Sequence, residues 1–146
     1  MGLDCYIVHG NDRDKAFTSK DAEELKDINL CGGMLSGSGS DGSFRGKAYE
    51  PLIDDLMQHE GGIWHKSEDD DPDYVTSDEL KEQAEALEEF IQLKIDFMKE
   101  DGETYDDDTI IYQVDNWAEY TLGEVKDLAT LLGVAGKRGA VMHVWW

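Results

Sequence analysis

The sequence predicts an α+β fold: a small single domain over residues 1–146, with about three strands and three to four helices. Three observations carry that expectation. Residues 3–8 and 140–146 are apolar in the manner of strands, whereas residues 78–99 hold an apolar stripe at helical spacing. Between them lies a segment so rich in glycine and serine that it suits neither element. A chain of 146 residues falls in the usual range for one domain, and with 40% apolar residues it can form a core.

In the first strand Leu3, Cys5 and Ile7 alternate with Asp4, Tyr6 and Val8, and Gly10 and Asn11 end the run. Ala22, Leu25 and Ile28, behind a capping pair at Thr18 and Asp21, predict a helix over 20–29. A Gly/Ser-rich loop over 32–47 follows. Pro51 suits a first helical turn, and Leu52, Ile53, Leu56 and Met57 predict a helix that Gly61 and Gly62 stop. Residues 67–73 have no apolar side chain and predict an exposed acidic linker.

The clearest element is a long amphipathic helix near 78–99. Thr76 and Glu79 match a capping box, and Leu80, Ala84, Leu87, Ile91, Ile95 and Met98 recur every three or four residues. Phe90, Leu93 and Phe97 widen this stripe, which predicts packing against a sheet or two neighbours. The run TIIYQV reads as a short strand. Thr121 and Glu124 cap a further helix through Leu122, Val125, Leu128, Ala129 and Leu132 to Gly133. The run AVMHVWW is apolar on both faces, which predicts a central strand or an edge strand covered by a helix or another subunit.

Charge bounds the partners. Thirty-four acidic against thirteen basic residues give a net charge of -21. Residues 68–108 alone hold eighteen acidic residues against Lys81, Lys94 and Lys99. Such a field repels phosphate backbones and attracts cationic surfaces. Direct nucleic-acid contact is therefore not expected. A basic protein surface is the expected partner, and nucleic-acid mimicry by rows of carboxylates is one form of that reading. No apolar run is long enough to span a bilayer, and the first ten residues lack the basic and hydrophobic segments of a secretory leader, so no membrane contact and a cytoplasmic setting are expected. Cys5 and Cys31 read as reduced, buried thiols.

Two groups of residues are candidates for chemistry or contact. Phe44, Arg45, Lys47 and Tyr49 put aromatic and cationic side chains in and beside a loop of small residues, the composition of a partner or ligand contact. The loop misses the phosphate-binding P-loop pattern, with Asp41 where the first glycine belongs and Ala48 where a Ser or Thr would hold magnesium. His59 and His65, with Asp69 and Asp71, could meet around zinc or manganese, although the histidines lack the spacing of one helix face. Asp69, Asp71 and Asp73 begin a calcium-loop pattern that Tyr74 and Leu80 break. The leading expectation is an acidic protein-interaction module without a cofactor. The alternative is a small metal-dependent or phosphate-binding enzyme using the Gly-rich loop and residues 59–65. Trp145 and Trp146 belong in the core or in a homodimer contact through their strand.

Overall fold

The computed structural model describes residues 4–12, 14, 15, 17, 21–25, 28, 43–45, 49, 52, 74–114 and 118–145. Strands β1 (Asp4–Val8), β2 (Ser43–Arg45), β3 (Tyr74–Val75) and β6 (Val141–Trp145) form one antiparallel sheet in the order β2-β1-β6-β3. Strands β4 (Ile110–Val114) and β5 (Ala118–Thr121) pair antiparallel as a second, two-stranded sheet. Helices α1 (Ser77–Glu100) and α2 (Leu122–Lys137) pack together, and α2 also meets the turn at Glu23–Leu25.

The fold is α+β, but the expected element count is wrong. Among the described residues there are two α-helices and two small antiparallel sheets, in place of three to four helices and three strands. The helix expected over 20–29 is a 3-10 turn at Glu23–Leu25, with Leu25 N–H donating to Ala22 and Ile28 N–H to Leu25 across three residues. The reason lies in the stripe itself. Ala22, Leu25 and Ile28 recur every third residue, the period of a 3-10 turn and not of an α-helix. Ala22 and Leu25 are buried, so the turn still delivers its apolar side to the core. The helix expected after Pro51 lies outside the described residues, apart from Leu52, which is helical and buried. The added strands β2, β3 and β5 are two to four residues long, too short to display an alternating pattern.

β6 occupies the interior of its sheet. It pairs with β1 from Asp4↔Trp145 to Val8↔Val141, and with β3 at Tyr74↔His143 and Val75↔Met142. With Met142 facing the core and Val141 also buried, the run apolar on both faces matches a strand flanked on both sides.

α1 starts on the expected capping box. Thr76 accepts from the Glu79 amide, and the Glu79 carboxylate accepts from the Thr76 amide. Ser77 Oγ donates to the Ala140 carbonyl at 2.7 Å, fastening the helix start to the residue before β6. α2 starts at Thr121, which accepts from the Glu124 amide, and ends where Gly139 takes φ 75°, a left-handed conformation that favours glycine. The two helices approach closely at Gly136, where a Cβ would lie 2.8 Å from the Ser77 carbonyl oxygen. The core gathers Ile7, Leu25, Tyr49, Leu52, Leu80, Leu87, Val125, Leu128, Leu132 and Met142 into one cluster. Gln83 is buried beside it, and its Oε1 accepts no hydrogen bond among the described residues, which costs about 1–3 kcal/mol.

Candidate functional site

Of the two groups singled out in the sequence, Phe44, Arg45 and Tyr49 are the members that fall among the described residues. Phe44 and Arg45 lie in β2, so the Gly/Ser-rich segment closes in an edge strand, where Arg45 pairs with Asp4 and Phe44 with Cys5. Tyr49 is not a surface anchor. It is fully buried, its hydroxyl donates to Glu124 Oε2 at 3.0 Å, and its ring lies 5.9 Å from that of Tyr120. Burying a phenol is favourable when its hydroxyl finds a partner, and Glu124 at the start of α2 supplies one. Lys47, His59, His65, Asp69, Asp71, Trp146 and the linker over 67–73 lie outside the described residues. Among the described residues no group of three or more His, Cys, Asp and Glu is placed to hold a metal ion. In β6, β1 pairs along the whole strand to Trp145, and β3 pairs on the other side at His143 and Met142.

What the structure does assemble is a surface on α1. At about 100° per residue, Asp78, Glu82, Glu85, Glu89, Asp96 and Glu100 fall within an arc of roughly 60° on the side away from the core, and Lys81, Lys94 and Lys99 fall outside it. All six carboxylates are exposed. Lys81 pairs with Asp78 at 3.3 Å, and Gln92 donates to Asp96 at 3.0 Å. Among the described residues Glu82, Glu85 and Glu89 have no cationic partner.

Next to this arc the helix turns apolar side chains to solvent. Leu93 is 53% exposed and Phe97 55%, one turn apart on the same flank. Their stripe continues backwards to Phe90, which is half-buried under β4: the Tyr112 ring meets it edge-on at 5.6 Å. Ile110, at the start of that same strand, is 50% exposed. A row of rings holds the strand in place, running from Tyr49 through Tyr120 and Tyr112 to Phe90 with centroids 5.6–6.0 Å apart. Lys94 Nζ closes the row, 5.5 Å from the centre of the Phe90 ring. The sequence named Phe90, Leu93 and Phe97 but assigned all three to internal packing. Their signal was the width of the stripe, which exceeds what α2 on one side and a two-stranded sheet on the other can cover.

The described residues line shallow clefts along the two helices. A cleft of about 120 Å³ between the helices is lined by Lys81, Ala84, Glu85, Glu88, Gly133 and Lys137. It is smaller than the usual ligand site of about 300–1,000 Å³. A wider cleft of about 350 Å³ between Glu88, Ile91, Gln92 and Lys126, Ala129, Thr130 lies open to solvent. No helix among the described residues is long and apolar enough to cross a membrane. Comparison with family models, curated proteins and solved structures finds nothing that matches this chain.

Proposed function

We propose that the protein is an acidic interaction module that docks on a basic protein surface through the solvent side of α1, in a cytoplasmic setting. The observation that carries this reading is the arc of carboxylates on α1, with Glu82, Glu85 and Glu89 lacking a cationic partner among the described residues. Like charges so placed repel one another, and a cationic surface relieves that repulsion while speeding encounter.

Charge density favours a protein surface over strict mimicry of a duplex. α1 carries eight carboxylates and three lysines. Over 24 residues, about 36 Å of helix, its net charge amounts to about one per 7 Å, against one per about 1.7 Å for double-stranded DNA. The helix alone is therefore about fourfold too dilute, and the exposed apolar side chains beside the arc have no counterpart in a phosphate backbone.

Native mass spectrometry of the protein isolated from its own cells tests the reading. A complex with a basic protein is expected, retained at about 0.3 M salt, where diffuse attraction is largely screened. The triple variant Glu82→Gln, Glu85→Gln, Glu89→Gln should lose it. Recovery of the bare protein, or retention of the complex by the triple variant, sinks the proposal.

A further inference from the structure

The apolar strip beside the carboxylate arc gives the partner a shape. Leu93 and Phe97 stand one turn apart on α1, and Ile110 opens the strand that Tyr112 ties to the same flank of the helix. Glu89, Asp96 and Glu100 border the strip on its other side. We infer that this surface binds a basic amphipathic helix, with the apolar face of that helix on Leu93 and Phe97 and its lysines or arginines over Glu89, Asp96 and Glu100. The inference rests on the reading of α1 as the docking surface for a basic partner.

Three arguments favour this occupant. First, α1 offers only side chains here, since its backbone groups are bonded within the helix. An incoming segment must satisfy its own backbone, and a helix does so where an extended peptide does not. Second, apolar ridges at i and i+4 accept the i, i+3, i+4 and i+7 side chains of another helix. Lysine and arginine stems lie along such a strip while their charges reach the carboxylates at its rim. Third, a second copy of this chain would bring its own Glu89, Asp96 and Glu100 against the first set. With a net charge of -21 on each copy, the same strip opposes self-association.

The test uses the full chain and two synthetic peptides of about eighteen residues and identical leucine and lysine composition. One places leucines at i, i+3, i+4 and i+7 to form an amphipathic helix; the other is scrambled so that no apolar face forms. Titration calorimetry at 0.15 M salt should show the amphipathic peptide binding at least about tenfold more tightly. The double variant Leu93→Gln, Phe97→Gln should erase that preference while leaving the scrambled peptide's affinity and the helical circular dichroism unchanged. Glu89→Gln with Asp96→Asn should weaken both peptides instead. Equal binding of the two peptides, or a preference that survives the double variant, overturns the inference and leaves the basic-partner reading standing. If neither peptide binds, both fall. A dimer in sedimentation that the double variant dissolves would make a second copy the occupant and overturn the inference.

Discussion

Within residues 77–91, α1 buries Leu80, Gln83, Ala84, Leu87 and Ile91; within residues 92–100 it buries none. Ile95 and Met98 continue the same repeat and pack half-buried against the core, whereas Leu93 and Phe97 add two apolar side chains that face solvent. The first half lies against α2 and β6, close enough at Gly136 that the Ser77 carbonyl excludes a side chain. The two-stranded sheet meets the helix at Phe90, near the end of the first half, and beyond it Leu93 and Phe97 stay more than half exposed. The difference shows that periodicity records which residues share a face. It does not record whether the chain itself supplies what covers that face.

Substitutions can break or sharpen this contrast. Leu87→Ala, in the buried half, should lower unfolding free energy by about 2–5 kcal/mol in denaturant titration, because it opens a cavity in close-packed surroundings. A loss below about 1 kcal/mol would mean that this half is packed as loosely as the other. Gly136→Ala should cost about 1–3 kcal/mol, since the Ser77 carbonyl 2.8 Å away belongs to a capped helix start and cannot yield freely. Gln83→Leu should act in the opposite direction, raising unfolding free energy by about 1 kcal/mol through removal of a buried acceptor that accepts no hydrogen bond among the described residues. Phe97→Gln, in the exposed half, should cost under about 1 kcal/mol, because the side chain gives up little buried area.

The smallest effect is electrostatic. Hydrogen bonding to its own backbone amide, and then to Arg138, holds the Glu24 carboxyl below its ordinary range. Arg138 Nη2 lies 3.2 Å from Glu24 Oε1, and Nη1 donates to the Asp21 carbonyl, so the pair links the end of α2 to the 3-10 turn. A carboxyl whose folded pKa is lowered adds stability above its unfolded pKa and loses it as pH falls through the folded value. The gap between the parent and Glu24→Gln should therefore be small at neutral pH and close below the ordinary carboxylate range. A gap that widens with acid would rule the pair out as a stabilising contact.

Long elements were legible in the sequence because each repeats its own signal. The capping box at Thr76, the N-cap at Thr121, the six-member stripe on α1 and the apolar run of β6 each reinforce the element they belong to. β2, β3 and β5 were not legible, because their pairing is decided by distant partners: Tyr74 becomes a strand residue through His143, and Ser43 through Tyr6. Tyr49 illustrates the same limit at a candidate site. Beside glycines and a lysine it looks like an exposed anchor, and only the fold brings Glu124 to its hydroxyl and Tyr120 to its ring. The acidic composition was plain from the start. Its concentration on one arc of α1, against a strip of exposed apolar side chains, needed the helix to be placed against its neighbours.

The central position of β6 also sets the order in which the molecule can assemble. β1 can pair early with β2, but β3 has β6 as its only partner among the described strands, so during synthesis the four-stranded sheet must wait for the last of the described elements to emerge. Helix pairing between α1 and α2 is local by comparison and can precede it, leaving the undersides of two helices uncovered until the sheet closes. Refolding of this chain should accordingly show helical signal before the burial of Met142 and Ile7. The interval between the two is the window in which a nascent molecule is most prone to aggregate. The heavy negative charge already carried by α1 is present throughout that window, keeping one unfinished copy away from the next.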